Sequence, residues 1–243
     1  MSIPILINGA KGKMGKEIVK SFRQDPEFKL VGTTDREDDL AKAIGASKAK
    51  VVIDFTASSV GFQNASIIIQ AGAHPVIGTT GFLSDQIDEL KKRCSKQKLG
   101  GIIAPNFSIG AVLLMQFSKE AAKHFPHAEI IEMHHTTKEE SPSGTAMLTA
   151  DLISQGRQET HPLKKYREIS PHARGANHKE IAIHSVRLPG LVAHELVMFG
   201  GRGETLSLRH DTLHRECFMP GIKLACKKVL DLKQLVYGLE NLL

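Results

Sequence analysis

The sequence predicts an α/β protein built on a doubly wound parallel sheet, joined to a second part of α+β character. Three observations carry this. Strand and helix signals alternate through the first hundred or so residues, a glycine-rich turn lies between the first strand and the first helix, and the pattern changes after Pro105. Alternating β and α elements of this length imply parallel strands joined by right-handed crossovers.

In order, Ile3–Ile7 is a short apolar run ending in Asn8-Gly9 and reads as the first strand. Met14–Phe22 sets Ile18, Val19 and Phe22 on one side of a helix. Lys29–Thr34 reads as a strand, Val51–Phe55 as a buried strand, Ser59–Gln70 as a helix and Pro75–Ile77 as a strand. Ser84 is placed as the N-cap of a helix that carries Ile87 and Leu90 on one face. Gly101–Ala104 closes the series. Beyond Pro105, Ala111–Phe125 reads as a long amphipathic helix, Ala128–His134 as a strand and His135–Ser143 as a polar loop, with a helix from Thr145. Residues 156–179 are polar and carry Gly and Pro, which reads as loop. Glu180–Arg187, Leu191–Phe199 and Glu204–His210 read as strands separated by Pro189-Gly190 and Gly200-Gly201. Cys217–Leu232 returns to helical spacing.

Composition narrows the class. Over 243 residues, 41% hydrophobic and 24% charged content is the balance of an ordinary globular protein. No apolar run reaches the ~18 residues of a membrane span. The opening Met1-Ser2-Ile3-Pro4-Ile5 lacks the basic flank and apolar stretch of a signal peptide. Three cysteines, Cys94, Cys217 and Cys226, form no CxxC pair, so free thiols in a reducing, cytoplasmic setting are expected. The net charge of +6 is spread without a block of five or more like charges. That argues against a nucleic-acid partner and suits a small anionic one. Of the 12 histidines, His74 alone precedes position 120. The two parts of the chain therefore look built for different work.

Gly9-Ala10-Lys11-Gly12-Lys13-Met14-Gly15 sits where a dinucleotide pyrophosphate would bind. Glycines permit the tight turn, and a helix N-terminus offers free N–H groups to an anion. The spacing is GxxGxxG, and no Walker Gly-Lys-Ser/Thr is present. Asp35 ends the next strand, about twenty residues on, where an acid binds ribose hydroxyls. Arg36 follows and suits a 2′-phosphate. The competing reading is a glycine turn in an unrelated α/β domain. Three further strand ends are small or polar: Asp54-Phe55-Thr56, Gly78-Thr79-Thr80-Gly81 and Ala104-Pro105-Asn106-Phe107-Ser108. Ligands bind at such carboxyl ends in doubly wound sheets.

In the second part, Glu132-Met133-His134-His135-Thr136-Thr137-Lys138 runs into Pro142-Ser143-Gly144-Thr145-Ala146. His titrates near neutrality and Lys can donate a proton, so the loop suits acid/base work. Ser143-Gly144-Thr145 opens a helix and suits a carboxylate. Against this, one of two adjacent strand histidines can be structural, and Ser-Gly-Thr can be a simple helix cap. No metal-ligand pattern is present: His194-Glu195 has Met198 where a second His belongs.

These residues make the chain resemble the 4-hydroxy-tetrahydrodipicolinate reductase (dihydrodipicolinate reductase) family over essentially its whole length. The His-His-x-x-Lys followed by Pro-Ser-Gly-Thr-Ala is the most specific part, with His184-Ser185-Val186-Arg187 in support. The resemblance implies a Rossmann-like dinucleotide-binding domain, residues 1–108 with 215–243. Between its parts it implies an inserted α+β substrate-binding and oligomerisation domain, residues 109–214. It implies that Gly9, Ala10, Lys11, Gly12, Lys13 and Met14 hold the pyrophosphate, with Asp35 and Arg36 at the adenosine end. Gly78, Thr79 and Thr80 would line the cofactor, and Ala104, Pro105, Asn106 and Phe107 would lie near the nicotinamide. His134 and Lys138 would be catalytic, His135, Gly144 and Thr145 would bind substrate carboxylate, and no metal would be needed. NADH and NADPH are the implied cofactors, a small dicarboxylate the implied partner, and a homotetramer the implied assembly. The implied reaction is reduction of 4-hydroxy-tetrahydrodipicolinate at ring carbon 4, in the diaminopimelate route to lysine. Glu140 stands where the family often has Asp, and Arg187–His194 replaces a common Gly-Asp-Ile-Val-Gly-Glu-His form. Two rivals stand beside this reading. A dehydrogenase of aspartate semialdehyde needs a nucleophilic Cys, and a non-catalytic dinucleotide sensor has no use for His134 and Lys138.

Overall fold

A computed structural model describes residues 2–158 and 167–243. The part of the expected 156–179 loop that covers 159–166 lies outside the described residues. The chain forms two compact units, Met1–Ile109 with Arg215–Leu243, and Gly110–His214.

The first unit is a six-stranded parallel sheet with helices between its strands. Its elements are β1 (Ile3–Asn8), α1 (Lys13–Arg23), β2 (Phe28–Thr34), α2 (Leu40–Ser47), β3 (Val51–Asp54), α3 (Ser58–Gln70), β4 (His74–Ile77), α4 (Ser84–Gln97) and β5 (Gly101–Ile103). From the C-terminal segment come α7 (Met219–Lys228) and β11 (Leu235–Tyr237). The sheet order β11-β5-β4-β3-β1-β2 reverses direction between β1 and β3. That reversal is where a doubly wound sheet opens a crevice for a ligand. Strands buried on both faces need unbroken apolar runs, and Ile5, Ile7, Val51, Val52, Ile53, Val76 and Ile102 are fully buried. In α1, Gly15, Ile18 and Phe22 face inward at helical spacing, and Phe22 packs on Phe28 with ring centroids 4.7 Å apart.

The C-terminal segment belongs to this unit. The Gly101 N–H donates to Gln234 and the Gly238 N–H to Ile103, at 3.2 and 2.8 Å. A side chain at Gly221 would meet the Phe107 carbonyl at 2.0 Å, so only glycine lets α7 pass there.

The second unit is a five-stranded mixed sheet under two helices. It contains α5 (Ile109–Ala121), β6 (His127–His134), α6 (Gly144–Gly156), β7 (Ala176–His178), β8 (Ile181–Arg187), β9 (Ala193–Gly201) and β10 (Glu204–Thr212), with sheet order β10-β9-β6-β8-β7. The β6–β8 pair is parallel and the other pairs are antiparallel. Alternation sends Ala128, Ile130, Val197 and Phe199 toward α5 and α6, where they pack with Leu114, Ala146, Ala150 and Ile153.

Several boundaries differ from the sequence reading. The expected helix to Phe125 ends at Ala121 because the next turns close tightly, with His124 donating to Ala121 at 3.0 Å. Pro126 also disfavours helix at the residue before it. Phe125 still packs on Phe199, which is why the apolar period runs on. Ser84 is the first residue of α4, not its cap. The Leu83 N–H is taken by the Gln86 carboxamide at 3.0 Å, moving the helix start by one residue. β9 begins at Ala193 and runs through Gly200 and Gly201, both paired with β10, so the turn falls on Arg202-Gly203. The expected helix from Cys217 splits into a 3₁₀ turn, Arg215–Phe218, and α7, with Pro220 in its first turn. The short strand β7 lies within the stretch read as loop.

Candidate active site

In the first unit the glycine loop joins β1 to α1. Gly9 has φ +82°, and a side chain there would lie 2.8 Å from the Phe55 carbonyl. A side chain at Gly15 would lie 2.1 Å from the Gly9 carbonyl. Both positions therefore demand glycine, which brings the backbone of the loop close to whatever binds beside it. Gly12 is the N-cap of α1 and offers no side-chain acceptor to the first helical N–H groups. Such a helix start attracts an anion. A cleft of about 480 Å³ opens beside it, lined by Gly9, Gly12, Asp35, Arg36, Phe55 and Thr56 among others.

Asp35 accepts from the backbone N–H groups of Lys11 and Arg36 at 2.8 and 2.9 Å. The Arg36 and Lys11 amides hold its carboxyl below the usual carboxylate range. Arg36 itself is exposed at the cleft. Lys11 and Lys13 are exposed, while Ala10 lines a separate hollow with Lys16, Val19 and Lys20.

Under the cleft lies a buried polar knot that the sequence reading did not assign. The Asp54 carboxylate is wholly buried. One oxygen accepts from the carboxamides of Asn8 and Asn64 at 2.7 and 2.9 Å. The other accepts from the hydroxyls of Thr56 and Thr79, each at 2.8 Å. Thr34 donates to Asn8 at 2.9 Å. The ends of four adjacent strands are thus tied through one carboxylate, which fixes the floor of the cleft. Gly78 completes the shape, since a side chain there would strike the Phe55 ring at 2.2 Å. Phe55 packs on Phe107 with centroids 5.7 Å apart. Asn106 accepts from the Ser108 N–H at 2.8 Å, Ala104 is buried, and Thr80 and Pro105 are exposed.

In the second unit, His134 is the last residue of β6. Its Nδ1 lies 2.6 Å from Oε2 of Glu132. Glu132 is wholly buried and meets Arg187 through two contacts of 2.8 Å, one on each oxygen. The Ser143 N–H adds a bond of 3.2 Å. Burial pushes the Glu132 carboxyl up, yet the bonds from His134, Arg187 and Ser185 outweigh it and hold it at about 2. Glu132 is therefore a carboxylate that accepts Nδ1–H of His134, and Nε2 is the ring nitrogen that Glu132 does not engage. Arg187 also donates to the carbonyls of Lys138 and Glu140 at 3.3 and 2.8 Å, so one guanidinium pins the loop after β6.

On that loop Lys138 pairs with Glu140 at 2.8 Å, and the Glu140 carboxylate is four-fifths exposed. Glu140 thus occupies the Lys138 ammonium from the solvent side. His135 Nδ1 and the Thr137 hydroxyl are 2.8 Å apart. Ser143 caps α6, its hydroxyl accepting from the Ala146 N–H at 3.1 Å. The N–H groups of Gly144 and Thr145 stand in the first turn, where donors have no intrahelical acceptor. A side chain at Gly144 would meet nothing within 4 Å among the described residues, so this helix start is open to that extent. Glu132 and Arg187 are residues whose part in the site the sequence reading left out, whereas Asp54 stood there as a polar strand end without its buried partners. A charged residue on the inward face of an alternating strand, Ala128-x-Ile130-x-Glu132, was the available signal. Among the described residues, no group of three or more His, Cys, Asp or Glu is placed to hold a metal ion, and no helix is long and apolar enough to cross a membrane.

A parallel sheet with an anion-ready glycine loop at its reversal point, on the same chain as a carboxylate-held histidine, defines a pyridine-nucleotide-dependent oxidoreductase. The family models for dihydrodipicolinate reductase match residues 3–107 (N-terminus) and 110–243 (C-terminus). The chain belongs to the dihydrodipicolinate reductase family. It is 53% identical over 243 residues to the 4-hydroxy-tetrahydrodipicolinate reductase of Coxiella burnetii (strain RSA 493 / Nine Mile phase I), covering 100% of both chains. It is 48% identical to that of Legionella pneumophila subsp. pneumophila (strain Philadelphia 1), again over the whole of both. Among solved structures it matches a dipicolinate-bound dihydrodipicolinate reductase from Paenisporosarcina sp. TG-14, with a TM-score of 0.93, 39% identity and 100% of each chain covered.

Proposed function

We propose that the chain catalyses reduction of 4-hydroxy-tetrahydrodipicolinate to tetrahydrodipicolinate, a step of diaminopimelate and lysine formation, and does so in the cytoplasm. The carrying observation is His134, fixed by buried Glu132 at the end of β6, with the helix start at Gly144 and Thr145 at the far end of the loop that follows. Full-length identity of 53% to a relative named for this reaction supports it. The cradle of Gly9, Gly12, Gly15 and the α1 N-terminus fits a dinucleotide, since side chains at Gly9 and Gly15 would collide with backbone. Gly9 to Met14 would hold the pyrophosphate, Asp35 and Arg36 the adenosine ribose and its phosphate, and Gly78 to Thr80 with Ala104 to Phe107 the remainder. Reduced nicotinamide supplies a hydride when bound. His134 holds the proton that the reduced ring must gain, at Nε2. Lys138 adds positive charge and a second proton source. His135, Gly144 and Thr145 receive carboxylate. The Paenisporosarcina relative binds dipicolinate, a planar dicarboxylate of this kind. The test is absorbance of NADH or NADPH on mixing enzyme with freshly made product of the preceding synthase reaction. Loss of nucleotide absorbance that dipicolinate slows competitively is the expected result, and no loss with either nucleotide would exclude the reaction.

Both nucleotides are assigned as cofactors. Asp35 suits ribose hydroxyls and Arg36 a 2′-phosphate, so Arg36→Ala is expected to weaken NADPH by about 10-fold or more, with little change for NADH. A charge-assisted bond to phosphate, ~1.5–3 kcal/mol, is lost for NADPH alone. Fluorescence titration reads both, and equal losses would remove Arg36 from the phosphate.

The assembly is assigned as a homotetramer through the second unit's sheet. Its face away from α5 and α6 carries Ile131, Met133, Val186, Leu196 and Met198, all partly exposed. A contiguous apolar face is an interface candidate. Light scattering should give four times the 26.6 kDa chain mass, and the mass of one chain at micromolar concentration would contradict it.

A further inference from the structure

The strand register sets a second buried carboxyl against the one that holds His134. Glu195 of β9 pairs directly with Glu132 of β6. Directly opposed residues share a face, with Cβ atoms about 4.5–5.5 Å apart. Glu132 is wholly buried and Glu195 is 6% exposed. The same row continues to Ser185 of β8 on one side and His210 of β10 on the other. Above the row, the Thr149 hydroxyl of α6 lies against the Glu195 carboxyl. That hydroxyl also donates to the Thr145 carbonyl at 3.0 Å, so its one hydrogen is shared between the two. The other Glu195 oxygen, Oε1, is buried with no hydrogen-bond donor among the described residues. An ionised carboxylate in that setting is costly, and a neutral one is not.

We propose that Glu195 is a positioning residue that acts on His134 through Glu132, the proton on Glu195 deciding how strongly Glu132 holds the imidazole. While Glu195 is neutral, the charge of Glu132 is directed to His134 and Arg187 without a competing anion. When Glu195 gives its proton to solvent, two carboxylates face each other across one strand pair, and the Glu132–His134 bond must readjust. Burial pushes the Glu195 carboxyl up to about 7; the Thr149 hydroxyl offsets part of that, and the nearby Glu132 charge adds a smaller push upward. The change therefore falls at neutral pH. The other ionisable groups facing this row are His210 from β10, itself lowered by burial and set against the start of α5, and His134 and Arg187 through Glu132.

The proposal rests on His134 being the proton-holding group, but its test does not use turnover. Protein labelled with ¹⁵N-histidine shows the His134 Nδ1–H resonance, assigned by its loss in His134→Gln. In the unaltered protein this resonance should move with a midpoint near pH 7. In Glu195→Gln, which keeps the shape and stays neutral, it should remain at its low-pH position from pH 6 to 8.5. Thr149→Val should move the midpoint upward by roughly half a pH unit or more, since a partner of the carboxyl is lost. His210→Gln should leave the step in place. A step that persists unchanged in Glu195→Gln, or vanishes in His210→Gln, would overturn the proposal. Normal turnover in His134→Gln would remove the catalytic reading and leave this coupling standing, so the two fail separately.

Discussion

Replacing His134 by Gln is expected to lower kcat by about 10²–10⁴-fold, the usual contribution of a positioned general acid or base. Gln fills similar space and can still donate to Glu132, but it cannot carry and release a proton. The buried Glu132–Arg187 pair stays intact, so the fold should hold. The glycine cradle belongs wholly to the first unit, and NADH affinity should stay near that of the unaltered chain. Steady-state turnover with the synthase product, beside fluorescence titration of NADH, measures the two quantities apart. Turnover within a few-fold of normal would remove His134 from proton transfer. A parallel loss of NADH affinity would point instead to a structural effect. The size of the expected loss follows from geometry as well as residue type. A 2.6 Å contact from a buried carboxylate fixes the ring and its tautomer, so no rotational search precedes proton transfer.

What the sequence makes legible here is local and periodic. Unbroken apolar runs such as Val51–Ile53 declare buried parallel strands, and the glycine loop declares its turn because Gly9 and Gly15 have no substitute at their positions. Elements of a few residues carry too little pattern. β11 has three residues and joins the sheet only because the chain returns to lie beside β5. α2 has eight, and its one clear sign is Asp39, whose carboxylate accepts from the Lys42 N–H at 3.0 Å. The site divides in the same way. His134 and Lys138 stand out by type and spacing. Arg187 is 55 residues from Glu132 in sequence, and their meeting depends on the parallel register of β6 and β8. Asp54 was visible as a polar strand end, but its partners Asn8, Asn64 and Thr79 come from three other elements. Long-range polar pairing is written in topology, and topology is not readable from one segment at a time.

Arg187→Met is expected to destabilise the second unit by about 3–5 kcal/mol, because it leaves the Glu132 charge buried without its guanidinium. At roughly 2–4 °C per kcal/mol for a protein of this size, the melting transition should fall by about 6–20 °C. The pH dependence supplies a sharper signature. With its folded-state value held at about 2, Glu132 adds stability that is fully present above its ordinary value of 4.5 and is lost as pH falls through about 2. The gap between the two proteins should therefore be widest above pH 4.5 and should close in more acidic solution, as Glu132 takes up a proton and no longer needs the cation. Circular dichroism melts between pH 3 and 7 follow both effects. A second change separates charge from packing: adding Glu132→Leu to Arg187→Met removes the stranded carboxylate and should recover part of the lost stability. The loop after β6 should stay loose in that double variant, because the Lys138 and Glu140 carbonyls have still lost their donor. Turnover should remain low even where the melt recovers. A single variant melting within about a degree of the unaltered chain would show that His134 and the Ser143 amide suffice to hold the carboxylate, and that Arg187 is not what keeps this site charged.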